Sequence, residues 1–153
     1  MLLVPISNAP VQPVFAEDNS EVAAEVIDAT ISLYARRGYV EPWIGYLAVE
    51  DGRVVGSCGF AGPLVEGEAE IAYFAFPGCE GRGVATRMAT ELLRLCREAA
   101  EQAGASFIAH TLPEEGPSTT ILRKLGFRNV GAIDHSEDGV VWKWVESGRQ
   151  VRD

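Results

Sequence analysis

The run Ile71-Ala72-Tyr73-Phe74-Ala75-Phe76-Pro77-Gly78-Cys79-Glu80-Gly81-Arg82-Gly83-Val84-Ala85-Thr86 constrains this chain more than any other stretch. Its first six residues form an apolar run the length of a buried strand, and from Val84 onward apolar residues recur with helical period. A strand must therefore give way to a helix across one proline and three glycines, small residues that let the backbone approach a ligand closely. The first amides of the following helix have no acceptor within it, and the positive end of the helix dipole lies there. Such a corner suits a phosphate or pyrophosphate, cradled by Gly81, Gly83 and the amides after them. No Lys-Ser/Thr pair follows, as a P-loop needs, and the glycine spacing is not that of a dinucleotide fold. A plain tight connection would show the same glycines.

The other elements fall into place around this corner. Leu2-Leu3-Val4 reads as a short edge strand among Pro5, Pro10 and Pro13. Asp18-Asn19-Ser20 caps a helix carried by Val22, Val26, Ile27, Ile31 and Tyr34 and stopped at Gly38. Trp43–Val49 and Arg53–Phe60 form a hairpin about Asp51-Gly52, and Glu68–Phe76 is the central strand. Val84, Met88, Leu92, Leu95, Cys96, Ala99 and Ala103 make one helical stripe that ends at Gly104. A strand over Ser106–Leu112, a short helix over Pro117–Leu125 and strands over Phe127–Ile133 and Val140–Val145 complete the chain. That order predicts a single α/β (α+β) domain over residues 1–153, with a mixed, mostly antiparallel sheet of six to seven strands and helices on both faces.

Composition narrows the partners. Residues 1–76 carry a net charge of −8 and residues 77–153 a net of −1, together the −9 of the whole chain. Nucleic acid is a poor partner for such a balance, and no apolar run reaches the length of a bilayer span. The acidic first half suits a cationic substrate, or simply keeps the chain soluble. Cys58, Cys79, Cys96, His110 and His135 form no metal-ligand spacing, so the expectation is reduced thiols, no metal and a cytoplasmic chain, either monomer or homodimer.

Two motifs carry a resemblance. Glu80-Gly81-Arg82-Gly83-Val84-Ala85 resembles the Gln/Arg-x-x-Gly-x-Gly/Ala signature of the GNAT acetyltransferase superfamily in all but its first position. Thr111-Leu112-Pro113-Glu114-Glu115-Gly116-Pro117-Ser118, followed by Leu122-Arg123-Lys124-Leu125-Gly126-Phe127, is similar to a block of the branch that includes ribosomal-protein N-terminal acetyltransferases, with Glu115 where that block has Asn. The resemblance covers roughly residues 43–146 and implies acetyl-CoA as cofactor and an amine as acceptor. It implies that the Glu68–Phe76 and Ser106–Leu112 strands splay apart, and that the pantetheine arm pairs with backbone near Phe74, Ala75 and Phe76. A bulge there would turn an N–H toward the thioester carbonyl. The pyrophosphate then lies on the amides of Gly81, Arg82, Gly83, Val84, Ala85 and Thr86, with Arg82 and Arg87 near its outer oxygens and Lys124 near the nucleotide.

The implied chemistry needs a proton acceptor, because an amine with a pKa of about 10 is mostly charged at neutral pH. Glu70 is the first candidate base and Glu68 the second, unless both stand at the solvent end of the strand. His110 is either a relay or a core histidine. Ser118 is either a proton donor to the departing thiolate or a helix-start hydroxyl. Tyr39, Trp43 and Phe60 are candidates for the acceptor's walls or for core, in a site entered between the first helix and the loop at Gly62–Glu66. The alternative to an acetyltransferase is a non-catalytic acyl-CoA-binding module of the same fold, favoured by Glu80, Glu115 and the lack of a tyrosine on the short helix.

Overall fold

A computed structural model describes residues 1–8 and 20–147. The elements follow the chain as β1 (Leu2–Pro5), α1 (Ser20–Arg37), β2 (Gly45–Glu50), β3 (Arg53–Phe60), β4 (Glu68–Ala75), α2 (Val84–Ala103), β5 (Ser106–Thr111), α3 (Pro117–Lys124), β6 (Phe127–His135) and β7 (Gly139–Glu146). The cap expected at Asp18 and Asn19 lies outside the described residues. The strands form one seven-stranded sheet in the order β1-β2-β3-β4-β5-β7-β6. Every neighbouring pair is antiparallel except β4 and β5.

The faces of β4 follow from what its neighbours touch. A Cβ added at Gly56 would meet Met88 of α2 at 2.7 Å, so the side chains of Gly56 and its cross-strand partner Ala75 face α2. Alternation puts Ile71 and Tyr73 on that face as well, and Glu70, Ala72 and Phe74 on the other. Gly45 lies against Thr30 of α1 and pairs with Gly59, which pairs with Ala72, so α1 covers the face of Glu70. The larger core cluster joins Met88, Leu92 and Cys96 of α2 to Ile71, Phe107, Leu122 and Trp144. The smaller one sets Ala23 and Ile27 of α1 against Ile6, Leu47, Val54 and Phe76.

The stripe on α2 drifts from its expected line. Leu95 is 50% exposed and Ala103 is also exposed, while Ala89, Leu93 and Ala100 are buried. A straight helix of about 3.6 residues per turn rotates its buried face relative to any fixed spacing, and packing against a twisted sheet selects the positions.

Candidate active site

The parallel contact between β4 and β5 is short. Glu68 pairs with Ser106, Ala69 with Phe107 and Glu70 with Ile108, and there the pairing ends although both strands continue. Beyond Glu70 the sheet opens into a slot. The ladder between β3 and β4 shows which backbone groups line it. The Ala61 amide donates to the Glu70 carbonyl and the Phe76 amide to the Val55 carbonyl, both toward β3. In an unbroken antiparallel register this puts Ala72 and Phe74 on the β3 side as well, and turns Ile71, Tyr73 and Ala75 toward the slot. Of the three strand residues expected to lend backbone, Ala75 alone faces the gap. Phe74 pairs across to Ser57, and the Phe76 carbonyl accepts the Cys79 amide, so both are already engaged. The expected bulge in β4 is absent too, for the β3–β4 register is uniform from Ile71 to Ala75.

The slot ends at the glycine corner. Gly81 and Gly83 hold φ of 78° and 77°, the left-handed region that suits glycine. The first helical bond runs from the Arg87 amide to the Gly83 carbonyl at 3.0 Å, so the amides of Val84, Ala85 and Thr86 have no acceptor within α2. Gly81, Arg82 and Gly83 are exposed around them. Glu80, the departure from the signature, turns back to accept the Gly78 amide at 2.9 Å. Arg87 is tied down as well. Its guanidinium forks onto Glu50 of β2 at 2.6 and 2.9 Å and donates to the Arg82 carbonyl at 2.9 Å, fastening the loop to the sheet. That bond holds the Glu50 carboxyl below its usual range.

At the other end a cavity of about 320 Å3 opens beside Glu70. Arg37 at the end of α1 and the 61–65 loop form its rim, where the sequence places the acceptor, and Glu70, His110 and His135 line it. Glu68 is paired with Lys143 of β7 at 2.8 Å, and Arg37 with Glu137 of the β6–β7 turn at 2.7 Å. Glu70 Oε2 lies 2.9 Å from His110 Nδ1, but the ring N–H is off line and Nδ1, though buried, makes no hydrogen bond. The His110 and His135 rings meet edge to face at 4.9 Å. No spacing in the sequence announces this trio, whose members come from three strands. Trp43 and Phe60 are core, packed on each other at 5.1 Å, and Tyr39 bonds Glu41 instead of the cavity.

Across the slot stands α3. Ser118 is exposed in its first turn and does not cap it. Buried Thr119 does: its Oγ1 accepts the Gly116 amide at 3.0 Å and reaches Glu115 at 2.9 Å. Glu115 forks onto Arg123 at 2.6 and 2.9 Å, a bond that draws its carboxyl down to about 2. Tyr73, which the sequence did not single out, reaches from β4 to α3 and donates to the Ser118 carbonyl at 3.2 Å. Burial pushes its phenol up to about 12. Lys124 is exposed on the last turn of α3.

Residues 7–128 match the family model described as an acetyltransferase (GNAT) domain. Among solved structures, an acetyltransferase assigned to the GnaT family from Bordetella pertussis aligns with a TM-score of 0.63 at 17% identity, covering 95% of this chain and 94% of that one. A ribosomal-protein-alanine N-acetyltransferase from Brucella melitensis aligns at 0.58 and 17%, over 84% and 78%. The microcin C7 self-immunity acetyltransferase MccE, solved with acetyl-CoA and AMP, aligns at 0.58 and 16%, over 84% and 69%. Curated protein sequences yield no significant match. Identities this low speak for the fold, while the family model spans most of the chain. The seven-stranded sheet with its splayed centre and glycine corner thus has its explanation: the chain belongs to the GNAT acetyltransferase family.

Proposed function

We propose that this chain transfers the acetyl group of acetyl-CoA to a primary amine held in the cavity beside Glu70. The observation that carries the reading is the early end of the β4–β5 pairing. It leaves a slot with donors on one wall, unpaired helix amides at one end and a carboxylate at the other. The pantetheine arm pairs with the free groups of Tyr73 and Ala75, and the pyrophosphate rests on the amides of Val84, Ala85 and Thr86 with Gly81, Arg82 and Gly83 around them.

Glu70 is the base. Glu68 and Glu70 both line the cavity, but Glu68, two residues back on the same face, already neutralises Lys143, whereas no Lys or Arg among the described residues pairs with Glu70. Amine attack on the thioester carbonyl forms the C–N bond, the C–S bond breaks, and the amine proton passes to Glu70 directly or through water. The sulfur leaves as a thiolate whose conjugate acid has a pKa of about 8.5. Such a thiolate does not deprotonate Tyr73, whose phenol lies at about 12, so Tyr73 steadies it by swinging its one hydroxyl proton from the Ser118 carbonyl to the sulfur. No covalent enzyme intermediate is needed.

The two acids that first favoured a non-catalytic module have other duties: Glu80 closes its own turn and Glu115 holds α3. A panel of small amines and peptide N-termini, assayed by release of free CoA thiol, tests the reading. Glu70→Gln is expected to lower kcat about 100-fold or more, the usual share of a general base, with the acetyl-CoA Kd unchanged. Undiminished turnover would remove Glu70, and absence of thiol release with every amine would remove the enzyme.

A further inference from the structure

We infer that Glu70, His110 and His135 form a zinc site in the acceptor cavity, and that zinc bound there blocks acetyl transfer. One ligand atom from each of the three residues lies within 4.8 Å of the others. Donor atoms around a tetrahedral zinc stand roughly 3.3 Å apart, given Zn–N and Zn–O bonds of about 2.0–2.2 Å. The Glu70–His110 pair is already closer than that, at 2.9 Å, and rotation about side-chain bonds brings His135 in. Two imidazoles and one carboxylate suit a borderline-soft ion, and three protein ligands leave a position for water.

The unsatisfied His110 Nδ1 is the second reason. A buried ring nitrogen with no hydrogen bond is rare in a folded protein, and a missing ion is one of its ordinary explanations. Charge agrees. Around the cavity Glu68 is matched by Lys143, and Arg37 by Glu137. Among the described residues no Lys or Arg offsets Glu70, so a dication adds attraction and no crowding of like charge. The cavity, at about 320 Å3, holds the ion with several waters of about 30 Å3 each.

The β6–β7 turn readies the third ligand. His135 ends β6, and the Arg37–Glu137 bond fastens the turn over the cavity rim. Its Nδ1 accepts the Glu137 amide at 3.2 Å, which orients the ring and leaves Nε2 to take the ion on losing its proton. The block on transfer rests on the proposed role of Glu70: coordination occupies the lone pairs that would take the amine proton. Binding of the ion does not rest on that role.

The test uses tag-free, chelator-stripped protein titrated with zinc chloride in a calorimeter, and with cobalt(II) as a visible probe. One equivalent is expected, with cobalt d–d bands and no thiolate charge-transfer band. His135→Gln and His110→Gln are each expected to weaken binding at least tenfold. In the acetylation assay zinc is expected to inhibit the parent protein, while His135→Gln, measured against its own metal-free rate, resists zinc. No bound zinc, a thiolate band, or affinity unchanged in both variants would overturn the site. If no amine is acetylated, the titration still decides the site, so the two proposals fail separately. Inhibition that persists in His135→Gln would overturn the block.

Discussion

Glu68 and Glu70 share a strand face and differ by their partners, and the residue scale is where this protein divides its roles. Lys143 Nζ contacts both oxygens of Glu68, at 3.1 and 2.8 Å, which makes that carboxylate a tie between β4 and β7. Two hydroxyls divide in the same manner. Ser118 offers an exposed Oγ, whereas the Tyr73 hydroxyl reaches α3 from β4. Tyr73→Phe is accordingly expected to lower kcat about tenfold with KM for acetyl-CoA nearly unchanged, and Ser118→Ala to stay within about twofold of the parent. Steady-state kinetics with a fixed amine distinguishes them. A large effect of Ser118→Ala alone would return the thiolate to Ser118.

At the scale of elements, α3 depends on one buried hydroxyl. Thr119 is 1% exposed and closes the first turn, accepting the Gly116 amide while its own proton is shared between Glu115 and the Gly116 carbonyl. Thr119→Val keeps the shape and removes the accepted bond and the shared donated one, so it is expected to cost about 1–2 kcal/mol in urea unfolding at neutral pH. Little change in the midpoint would mean that water replaces the hydroxyl. The short helix was legible in the sequence because Pro117 and Gly126 bracket it, and the hairpin because Asp51-Gly52 can turn nothing else so tightly. Strand phase was not legible. Alternation says that Phe74 and Ala75 present opposite backbone edges, yet only pairing with β3 decides which edge meets the slot. Nor was the trio beside the cavity, since its members lie 40 and 25 positions apart and meet only when β5 and β7 place β6 nearby. The long-range tie Arg87–Glu50 and the tie Arg123–Glu115 along α3 also explain two departures that local reading left open: an arginine that does not reach outward and a glutamate in place of an amide.

For the molecule as a whole, the buried acids set an alkaline limit. Burial pushes Cys58 up to about 12, Cys96 to about 11 and Tyr73 to about 12, from ordinary values of 9.0 for the thiols and 10.0 for the phenol. Each group is raised in the folded state, so the unfolded chain loses these protons first. The stability they contribute is complete below pH 9 and drains away as pH climbs through 12. Thermal melts at pH 8, 10 and 11 are expected to show a falling Tm, with a smaller fall between 10 and 11 in Tyr73→Phe. A flat profile over that range would show that the three sites open to solvent before the fold is lost. Away from this core, Arg97 of α2 clasps Glu146 of β7 at 2.6 and 2.7 Å and lies over the Phe107 ring, tying α2 to β5 and β7.

Beside the cavity at Glu70, Arg37 is bridged to Glu137, 100 positions away in sequence, and both side chains stand partly in water. Ions in solution weaken such a link far more than they weaken a buried one. The fastening of the β6–β7 turn to the end of α1 is therefore expected to slacken as dissolved salt rises.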